Sequence, residues 1–376
     1  MNIDRNLKYK TSIVHEWLVN YAGSERCVES FNNIWKDADV YSLVDFLDDE
    51  QREIILKGKK ANTSFIQKFP FARKKHRYYL PLFPKAIESF DLSKYDLIIS
   101  SSHAVSKGVR TRKGQLHICY CHSPMRYAWD QSAHYLTGIK GSIAKAFMNY
   151  LRNWDLKSAD NVNYFIANSH HIAEKIKRIY RRDSTVIYPP VDVDKFDVSE
   201  KKDDYYLIAS RFVPYKKVDI VVEAFNQMSD KKLVVIGSGP EKEKIKNIAG
   251  SNIEFLPYQQ TKKMKEYMMK AKAFVFAAEE DFGIVVVEAM ACGTPVIALN
   301  RGGTAESVLN GKTGTLFNEQ NPESIIDAIK KFESQIDDFD FQFIRSHAEK
   351  FNRANFESNI KAFVSEKLQN FNNQYS

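Results

Sequence analysis

The chain alternates short apolar segments with helical patterns along most of its length, and this alternation constrains its fold more than any other feature. Strands are predicted in the first half at SIVHEWLV near the N-terminus, Asp39–Leu43, Leu97–Ser101, Leu116–Tyr120 and Tyr164–Ala167. Continuous apolar runs of this length are typical of strands covered by helices on both faces of a parallel sheet. The first half is therefore predicted to form a doubly wound α/β domain.

The alternation stops at Thr185–Phe196 (TVIYPPVDVDKF), where two prolines break both periodicities, and then begins again. The second series has strands at Tyr206–Ala209, Lys232–Ile236, Ile253–Leu256, Ala273–Ala277 and Thr315–Phe317, and amphipathic helices at Pro322–Phe332 and roughly Phe341–Phe371. A chain of 376 residues is also too long for one ordinary core. The sequence predicts two α/β domains in tandem, with a cleft between them as the expected ligand site.

Composition narrows the class of protein. A hydrophobic content of 44% and a charged content of 27% are typical of a soluble globular enzyme. No apolar run approaches a membrane span, and the start has no apolar signal core, so we expect a cytoplasmic protein. The four cysteines form no disulfide or zinc pattern. The net charge of +8 suits nucleic acid, an anionic membrane or phosphorylated substrates, but no nucleic-acid module is visible, and we expect no nucleic-acid partner.

One segment, Phe65–Lys85 (FIQKFPFARKKHRYYLPLFPK), combines six Lys/Arg with six aromatic residues and contains no acid. This composition suits contact with lipid headgroups. It equally suits a solvated helix face beside a core. The first interpretation predicts that activity depends on lipid and that this dependence is lost when Arg73, Lys74, Lys75 and Arg77 become Ser.

The stretch Ala278–Leu299 (AEEDFGIVVVEAMACGTPVIAL) reads as a loop, a helix and a buried strand. Gly283 permits a close backbone approach to a ligand, and a helix that begins there presents unpaired N–H groups that favour phosphate. Glu288 is expected about one turn inside the helix, and Glu280 in the loop before it. Two carboxylates beside an anion site suggest a sugar nucleotide. The alternative is an amphipathic surface helix with ordinary glutamates.

Arg211 and Lys216 follow a predicted strand, at the sheet edge where open α/β sheets bind ligands. Two cations there are able to hold a diphosphate and offset the charge on a leaving nucleotide. A basic surface loop is the alternative. Gly237-x-Gly239 does not complete a dinucleotide fingerprint, because Lys242 stands where the third glycine is needed.

The tract CHSPMRYAWD, residues 121–130, follows another predicted strand. His122 is placed for proton transfer or for polarising a sugar, or else it is structural. His15, also at a strand end, is a similar candidate. Tyr127 and Trp129 form a stacking platform or part of the core. Two Asp-x-Asp pairs, Asp192/Asp194 and Asp338/Asp340, imitate a metal motif but do not follow suitable strands, so no metal site is predicted.

Together these blocks resemble glycosyltransferase family 4. EEDFGIVVVEAMACGTPVIALNRGGTAESV resembles the family's E-x-F-G-x-x-x-x-E segment and the blocks after it. SRFVPYKKVDIVVEAF resembles its basic segment, VVIGSGPEKEKI its glycine turn, and HEWLVNYAGSERCVESF its N-terminal glycine loop. The resemblance implies an α/β GT-B fold of two Rossmann-like domains facing each other across a cleft. It implies domains at 1–187 and 188–355 and a C-terminal helix, 356–376, that crosses back to the N-terminal domain. It also implies a retaining enzyme with a nucleotide-diphosphate sugar donor and no required metal or other cofactor.

The resemblance also assigns roles to individual residues. Glu288 is implied at the nucleotide ribose, Glu280 at the transferred sugar, and Phe282, Gly283 and Ile284 as backbone donors to sugar and phosphate. Arg211 and Lys216 are implied as the diphosphate clamp, His122 as the N-domain histidine at the donor sugar, and Gly23 as part of the loop that closes over the phosphates. Two positions depart from the family pattern, because Lys217 and Ala22 stand where glycines are usual. Lys216 and Lys217 therefore both remain candidates for the phosphate contact.

Three short stretches, CHSPMRYAWD, HEWL and YPPVD, are similar to the branch that contains GDP-mannose-dependent mannosyltransferases of bacterial O-antigen and capsule assembly. This similarity implies transfer of mannose to a polyprenyl-diphosphate-linked saccharide at the inner membrane face. The alternatives are another sugar donor such as a UDP-sugar, an epimerase or phosphorylase of the same architecture, and a non-catalytic saccharide-binding subunit. An NAD-dependent oxidoreductase is disfavoured by the broken glycine fingerprint at Lys242.

Overall fold

A computed structural model describes residues 9–129, 142–259 and 261–375. The chain divides into two compact units, one of Met1–Pro190 with Ala354–Ser376 and one of Val191–Arg353. The sequence placed these divisions after residues 187 and 355.

The first unit is built on a seven-stranded sheet, in which every neighbouring pair of strands is parallel. The strands are β1 (Thr11–His15), β2 (Asp39–Ser42), β3 (Asn62–Thr63), β4 (Leu97–Ser102), β5 (Leu116–Cys121), β6 (Tyr164–Ala167) and β7 (Ser184–Val186). Their order across the sheet is β3-β2-β1-β4-β5-β6-β7. Strands β3 and β7 were not predicted, since two or three residues are too few to show a period.

Helices of the first unit connect these strands. The described α-helices are Gly23–Ile34, Asp49–Leu56, Ala72–Lys75, Phe83–Glu88, Arg126–Trp129, Ser142–Ala159 and His170–Tyr180, and the 3-10 helices are Phe65–Lys68, His76–Leu82 and Ser106–Gly108. Every residue of β4 and β5 is buried, which explains why both strands read as continuous apolar runs.

The second unit has a six-stranded sheet that is likewise parallel between all neighbouring strands. Its strands are β8 (Tyr206–Arg211), β9 (Leu233–Ser238), β10 (Ile253–Leu256), β11 (Ala273–Phe276), β12 (Val296–Leu299) and β13 (Gly314–Phe317), in the order β10-β9-β8-β11-β12-β13. The described α-helices are Val218–Asn226, Lys242–Asn247, Thr261–Lys270, Ile284–Ala291, Thr304–Ser307, Pro322–Ser334 and Phe341–Ala348, and the 3-10 helices are Val193–Lys195, Pro214–Lys216, Ile336–Asp338 and Glu349–Phe351.

The last helix, Arg353–Tyr375, packs into the core of the first unit. Its buried residues Phe356, Ile360, Phe363, Val364, Leu368 and Phe371 share one cluster with residues of the first sheet and its helices. Their spacing of three or four places them on one helix face. The single helix predicted over Phe341–Phe371 is wrong, because the 3-10 turn Glu349–Phe351 and Asn352 in extended backbone separate two helices.

Candidate functional site

Strand β8 ends at Arg211, which is exposed. The sequence placed this arginine after the strand, whereas ladder pairing with Ser238 of β9 continues through it. Glycines permit that close pairing: a Cβ on Gly237 would lie 1.9 Å from the carbonyl oxygen of Ser210. The Gly-x-Gly turn thus permits close packing of β9 against β8. Within the described residues Arg211 has no ion pair, so its guanidinium is available to an anion.

The ammonium group of Lys216 forms an ion pair with the carboxylate of Glu280. Lys216 ends the 3-10 turn Pro214–Lys216 after β8, and Glu280 lies in the loop after β11, the next strand of the sheet. The Lys216 Nζ also lies 5.6 Å from the ring centroid of Phe276. Both side chains are about one-fifth exposed, at 18% and 21%. The two residues that the sequence assigned to diphosphate and sugar therefore meet at one sheet edge.

Two glycines, Gly302 and Gly303, hold the loop that carries Glu280. The N–H of Gly303 donates to the carbonyl oxygen of Glu280 at 2.8 Å. A Cβ on Gly303 would lie 2.1 Å from the carbonyl oxygen of Asp281, and one on Gly302 would lie 2.5 Å from that of Glu280. Because these neighbours are backbone atoms, side chains at either position would displace the loop.

The helix Ile284–Ala291 begins directly after this loop. Gly283 is its N-cap, with φ at +84°, a left-handed conformation that favours glycine. No side chain caps the first turn, so the terminal N–H groups of this turn face outward from the helix end and suit an anion. Glu288 lies in the second turn and is half-buried. Phe282 is buried and packs on Phe351, with ring centroids 5.6 Å apart, which anchors the loop.

In the first unit, His122 follows β5 and is buried. Its Nε2 lies 2.8 Å from the hydroxyl oxygen of Ser101. Burial, together with the charges of His103 and His15, holds the pKa of His122 well below its usual range, so the ring is neutral. Tyr127 of the CHSPMRYAWD tract is a core residue, so it is not an exposed stacking platform. The indole Nε1–H of Trp129 donates to the Asp155 carboxylate at 2.7 Å. Asp130 lies outside the described residues.

The buried carboxylate of Glu16, directly after His15, was not predicted from the sequence. One oxygen of Glu16 accepts hydrogen bonds from the backbone N–H groups of the loop after β4, at residues 103, 104, 105 and 106. Burial raises the pKa of Glu16, but the charges of His103 and His15 and these N–H groups outweigh it and lower the pKa to about 2. An acid directly after a histidine at the end of β1 was the available signal.

Gly23 is the first residue of the helix Gly23–Ile34, whereas the family resemblance placed it in a loop. The helix begins there because the Glu25 carboxylate accepts the backbone N–H of Ala22 at 3.1 Å. Glu25 also lies 3.4 Å from His15 Nε2. The Glu25 carboxylate therefore contacts both His15 and the backbone directly before Gly23.

The basic and aromatic segment Phe65–Lys85 consists of short helical turns rather than one amphipathic helix. Its exposed apolar side chains include Phe71 at 78% and Tyr78 at 75% exposure. Lys75 Nζ lies 6.0 Å and 5.4 Å from the centroids of these two rings. Phe71 adopts φ of +57°, which is unusual for an aromatic residue and turns the chain there. We call Phe71, Tyr78 and the exposed Arg73, Lys74, Lys75 and Arg77 the basic–aromatic patch.

The Asp-x-Asp pairs have structural partners. Asp192 forms an ion pair with Arg353 at 2.7 Å, and Asp340 caps the helix Phe341–Ala348. Among the described residues, no cluster of three or more His, Cys, Asp or Glu side chains is arranged to hold a metal ion.

Two family models match the chain. Residues 36–195 match Glycosyltransferase Family 4, and residues 192–344 match Glycosyl transferases group 1. The two parallel-sheet units have the GT-B fold. Over the matched residues, the chain is similar to glycosyltransferases of family 4 and group 1.

Known proteins resemble the chain in part or over most of its length. An uncharacterized glycosyltransferase of Methanocaldococcus jannaschii is 31% identical over 203 residues, which are 52% of this chain and 57% of that protein. The chain thus spans about half the length of the curated relatives it matches.

Solved structures show the fold. HepE of Anabaena, in complex with UDP, has a TM-score of 0.72 at 17% identity and covers 95% of this chain and 100% of its own. The lipopolysaccharide outer core galactosyltransferase WaaB, in its apo form, has a TM-score of 0.67 at 16% identity, covering 95% and 99%. In the parts of the chain that the structure describes, no helix is both long and apolar enough to cross a bilayer.

Proposed function

We propose that this protein is a retaining hexosyltransferase that takes its sugar from a nucleotide-diphosphate donor bound on the second unit. The ion pair between Lys216 and Glu280 carries the proposal, because it puts a cation suited to diphosphate beside a carboxylate suited to sugar hydroxyls. Arg211 and the first turn of the helix Ile284–Ala291 supply further positive charge and N–H donors at the ends of neighbouring strands. Glu288 is then the ribose ligand.

The proposed reaction breaks the bond between the sugar's anomeric carbon and the diphosphate. Arg211 and Lys216 stabilise the negative charge that develops on the leaving diphosphate. The departing phosphate oxygen takes the proton of the acceptor hydroxyl, which attacks the same face of the sugar, so the configuration is retained. Glu280 positions the sugar and is not a base in this scheme, and the family resemblance assigns His122 to the donor sugar.

Mannose from GDP-mannose is our proposed donor, on the similarity of CHSPMRYAWD, HEWL and YPPVD to mannosyltransferases. HepE in complex with UDP has the same fold, so a UDP-sugar is the competing donor. Nucleotide release from GDP-, UDP- and ADP-sugars, with and without a lipid-linked acceptor, tests both. Release from GDP-mannose supports the proposal, and release only from UDP-sugars contradicts it. Turnover of free phosphate without any nucleotide indicates a phosphorylase, and binding without turnover indicates a saccharide-binding subunit.

The proposed acceptor is a polyprenyl-diphosphate-linked saccharide, reached at the inner face of the plasma membrane through the basic–aromatic patch. The patch has four exposed cations beside two highly exposed aromatic rings, which suits anionic headgroups and the apolar boundary below them. Each cation near such a surface contributes about 1 kcal/mol.

Sedimentation with vesicles that contain phosphatidylglycerol tests this docking. Changing Arg73, Lys74, Lys75 and Arg77 to Ser should abolish most binding at low salt. A matched variant with Lys262, Lys263, Lys330 and Lys331 changed to Ser loses the same charge from exposed helices of the second unit. Equal binding by the two variants would contradict a role for the patch.

A further inference from the structure

Four buried side chains of the first unit form a continuous chain of hydrogen bonds. His122 Nε2 lies 2.8 Å from Ser101 Oγ, and Ser101 Oγ lies 3.1 Å from His15 Nδ1. At the other side of its ring, His15 Nε2 lies 3.4 Å from the Glu25 carboxylate. These side chains come from β1, β4, the residue directly after β5 and the first helix, and each is at most 7% exposed. Their hydrogens therefore have few alternative partners.

The surroundings of His15 decide where its protons lie. Nε2 faces the Glu25 carboxylate, and Nδ1 faces the backbone carbonyl oxygen of Ser101 at 3.3 Å as well as its hydroxyl. Carboxylate and carbonyl oxygens only accept hydrogen bonds, so a bare Nε2 would set its lone pair against the Glu25 carboxylate. A bare Nδ1 would set its lone pair against the Ser101 carbonyl oxygen, with only the Ser101 hydroxyl able to donate to it. A doubly protonated His15 satisfies both sides.

The charges around His15 support this state. Burial lowers the pKa of His15, but the hydrogen bond and charge of Glu25 and the charge of Glu16 outweigh it and raise the pKa above the usual value. Glu25 is in turn held by the N–H of Ala22 and the hydroxyl of Ser24, at 3.1 and 3.0 Å. The other titratable ring nearby, His103, is neutral near pH 7 and becomes charged only in acid, since burial lowers its pKa to about 4.

The proton on Nδ1 of His15 then fixes the direction of the Ser101 hydroxyl. Its oxygen accepts from His15, so its hydrogen is free to donate to Nε2 of His122. We propose that Glu25, His15 and Ser101 are positioning residues that hold His122 as the neutral tautomer protonated on Nδ1. His122 thereby offers a hydrogen-bond donor, and not a base, on its remaining nitrogen. A neutral His15 protonated only on Nε2 would keep its hydrogen bond to Glu25, but it would reverse the two bonds at Ser101 and give His122 the opposite tautomer.

This inference rests on the proposed function only where it concerns turnover. It deepens that proposal, because the same carboxylate, Glu25, holds both His15 and the backbone beside Gly23. His122 and the backbone directly before Gly23, two positions that the family resemblance assigned to the donor, are thus linked through Ser101, His15 and Glu25. A donor hydrogen bond from His122 suits a sugar hydroxyl or an anionic oxygen.

Long-range proton–nitrogen spectra of the full chain labelled with ¹⁵N-histidine test the tautomer directly. His122→Gln and His15→Gln assign the two sets of signals. We expect His15 protonated on both nitrogens and His122 protonated on Nδ1 alone. Ser101→Ala should convert His122 to a mixture of tautomers or to the Nε2–H form.

Ser100→Ala is the matched control. Ser100 is the neighbouring residue of β4 and points to the opposite face of the sheet, where its hydroxyl oxygen lies 2.8 Å from Nε2 of the buried His117. This variant also breaks a buried serine–histidine pair, so it should be destabilised similarly but should leave the His122 signals unchanged. A His122 protonated on Nε2 in the unmodified protein, or unchanged in Ser101→Ala, overturns the proposal.

Kinetic measurements separate the tautomer of His122 from its effect on catalysis. Ser101→Ala should lower kcat for sugar transfer about 3- to 10-fold relative to Ser100→Ala, as expected for one lost hydrogen bond. An equal kcat in the two variants overturns the link to catalysis. If no nucleotide sugar is turned over at all, the proposed function fails, while the spectra still decide the tautomer.

Discussion

Lys216 and Glu280 form an ion pair across the carboxyl ends of β8 and β11. The pair lies where a diphosphate and a sugar are proposed to bind, so an incoming phosphate competes with Glu280 for the same ammonium group. In water-exposed pairs this competition is mild, but both side chains here are about four-fifths covered. The carboxylate therefore opposes binding of the nucleotide alone and supports binding of the sugar.

Glu280→Gln should separate these two effects. We expect GDP to bind several-fold more tightly, because Lys216 loses its competitor, and kcat to fall at least tenfold, because the sugar loses its carboxylate. Calorimetry with GDP and steady-state kinetics measure the two quantities. Glu279→Gln removes the same charge from the adjacent, exposed residue and should change neither. Full turnover by Glu280→Gln would remove the residue from the site.

Lys217 stands in the left-handed region, with φ at +55°, at the N-cap of the helix Val218–Asn226. This conformation explains why glycine is usual at the position and costs a lysine about 1 kcal/mol. Lys217→Gly should raise the free energy of unfolding of the protein by up to about 1 kcal/mol, offset in part by the entropy of glycine. Urea unfolding tests this, with Lys217→Ala as the control that keeps the strain. If Lys217→Gly preserves GDP affinity and Lys216→Ala lowers it, Lys216 is the phosphate ligand.

Gly303 supports the Glu280 loop by close contact with its backbone. Gly303→Ala should weaken nucleotide-sugar binding at least tenfold and destabilise the protein by about 1–3 kcal/mol, because the new Cβ overlaps the carbonyl of Asp281. Calorimetry and thermal unfolding measure the two effects. Gly311→Ala is the control, since Gly311 has φ of +76° but no atom within 4 Å of an added Cβ. Equal donor binding by the two variants would contradict the role of Gly303.

His117 makes the first unit less stable in acid. Burial lowers its pKa to about 4, so the unfolded chain, with an ordinary histidine, binds a proton that the folded chain refuses between pH 6.5 and 4. The stability that His117 contributes is complete above pH 6.5 and is lost as the pH falls towards 4, at up to about 1.4 kcal/mol per pH unit. Urea unfolding of His117→Gln from pH 7 to 4.5 should show a shallower slope.

The sequence predicted most elements of both sheets, because buried parallel strands leave continuous apolar runs that few other structures produce. Tyr164–Ala167 was predicted to the residue, and a strand was predicted near Ile253–Leu256, where β10 lies. The predicted end of an element was wrong where a contact outside the local sequence pattern determines it. The Glu25 carboxylate accepts the N–H before Gly23 and starts the first helix there, and backbone pairing with β9 extends β8 through Arg211. The hydrophobic periodicity of the sequence gives no information about such contacts.

By itself, the sequence determined the two α/β series, the break between them and the residue types of the candidate donor site, since these follow from local periodicity and from motif spacing. Only the tertiary structure decided that Lys216 meets Glu280 and that Gly303 supports the loop that carries Glu280. It alone assembled His122, Ser101, His15 and Glu25 into one buried chain. These partners lie far apart in sequence, and parallel pairing brings the carboxyl ends of their strands together.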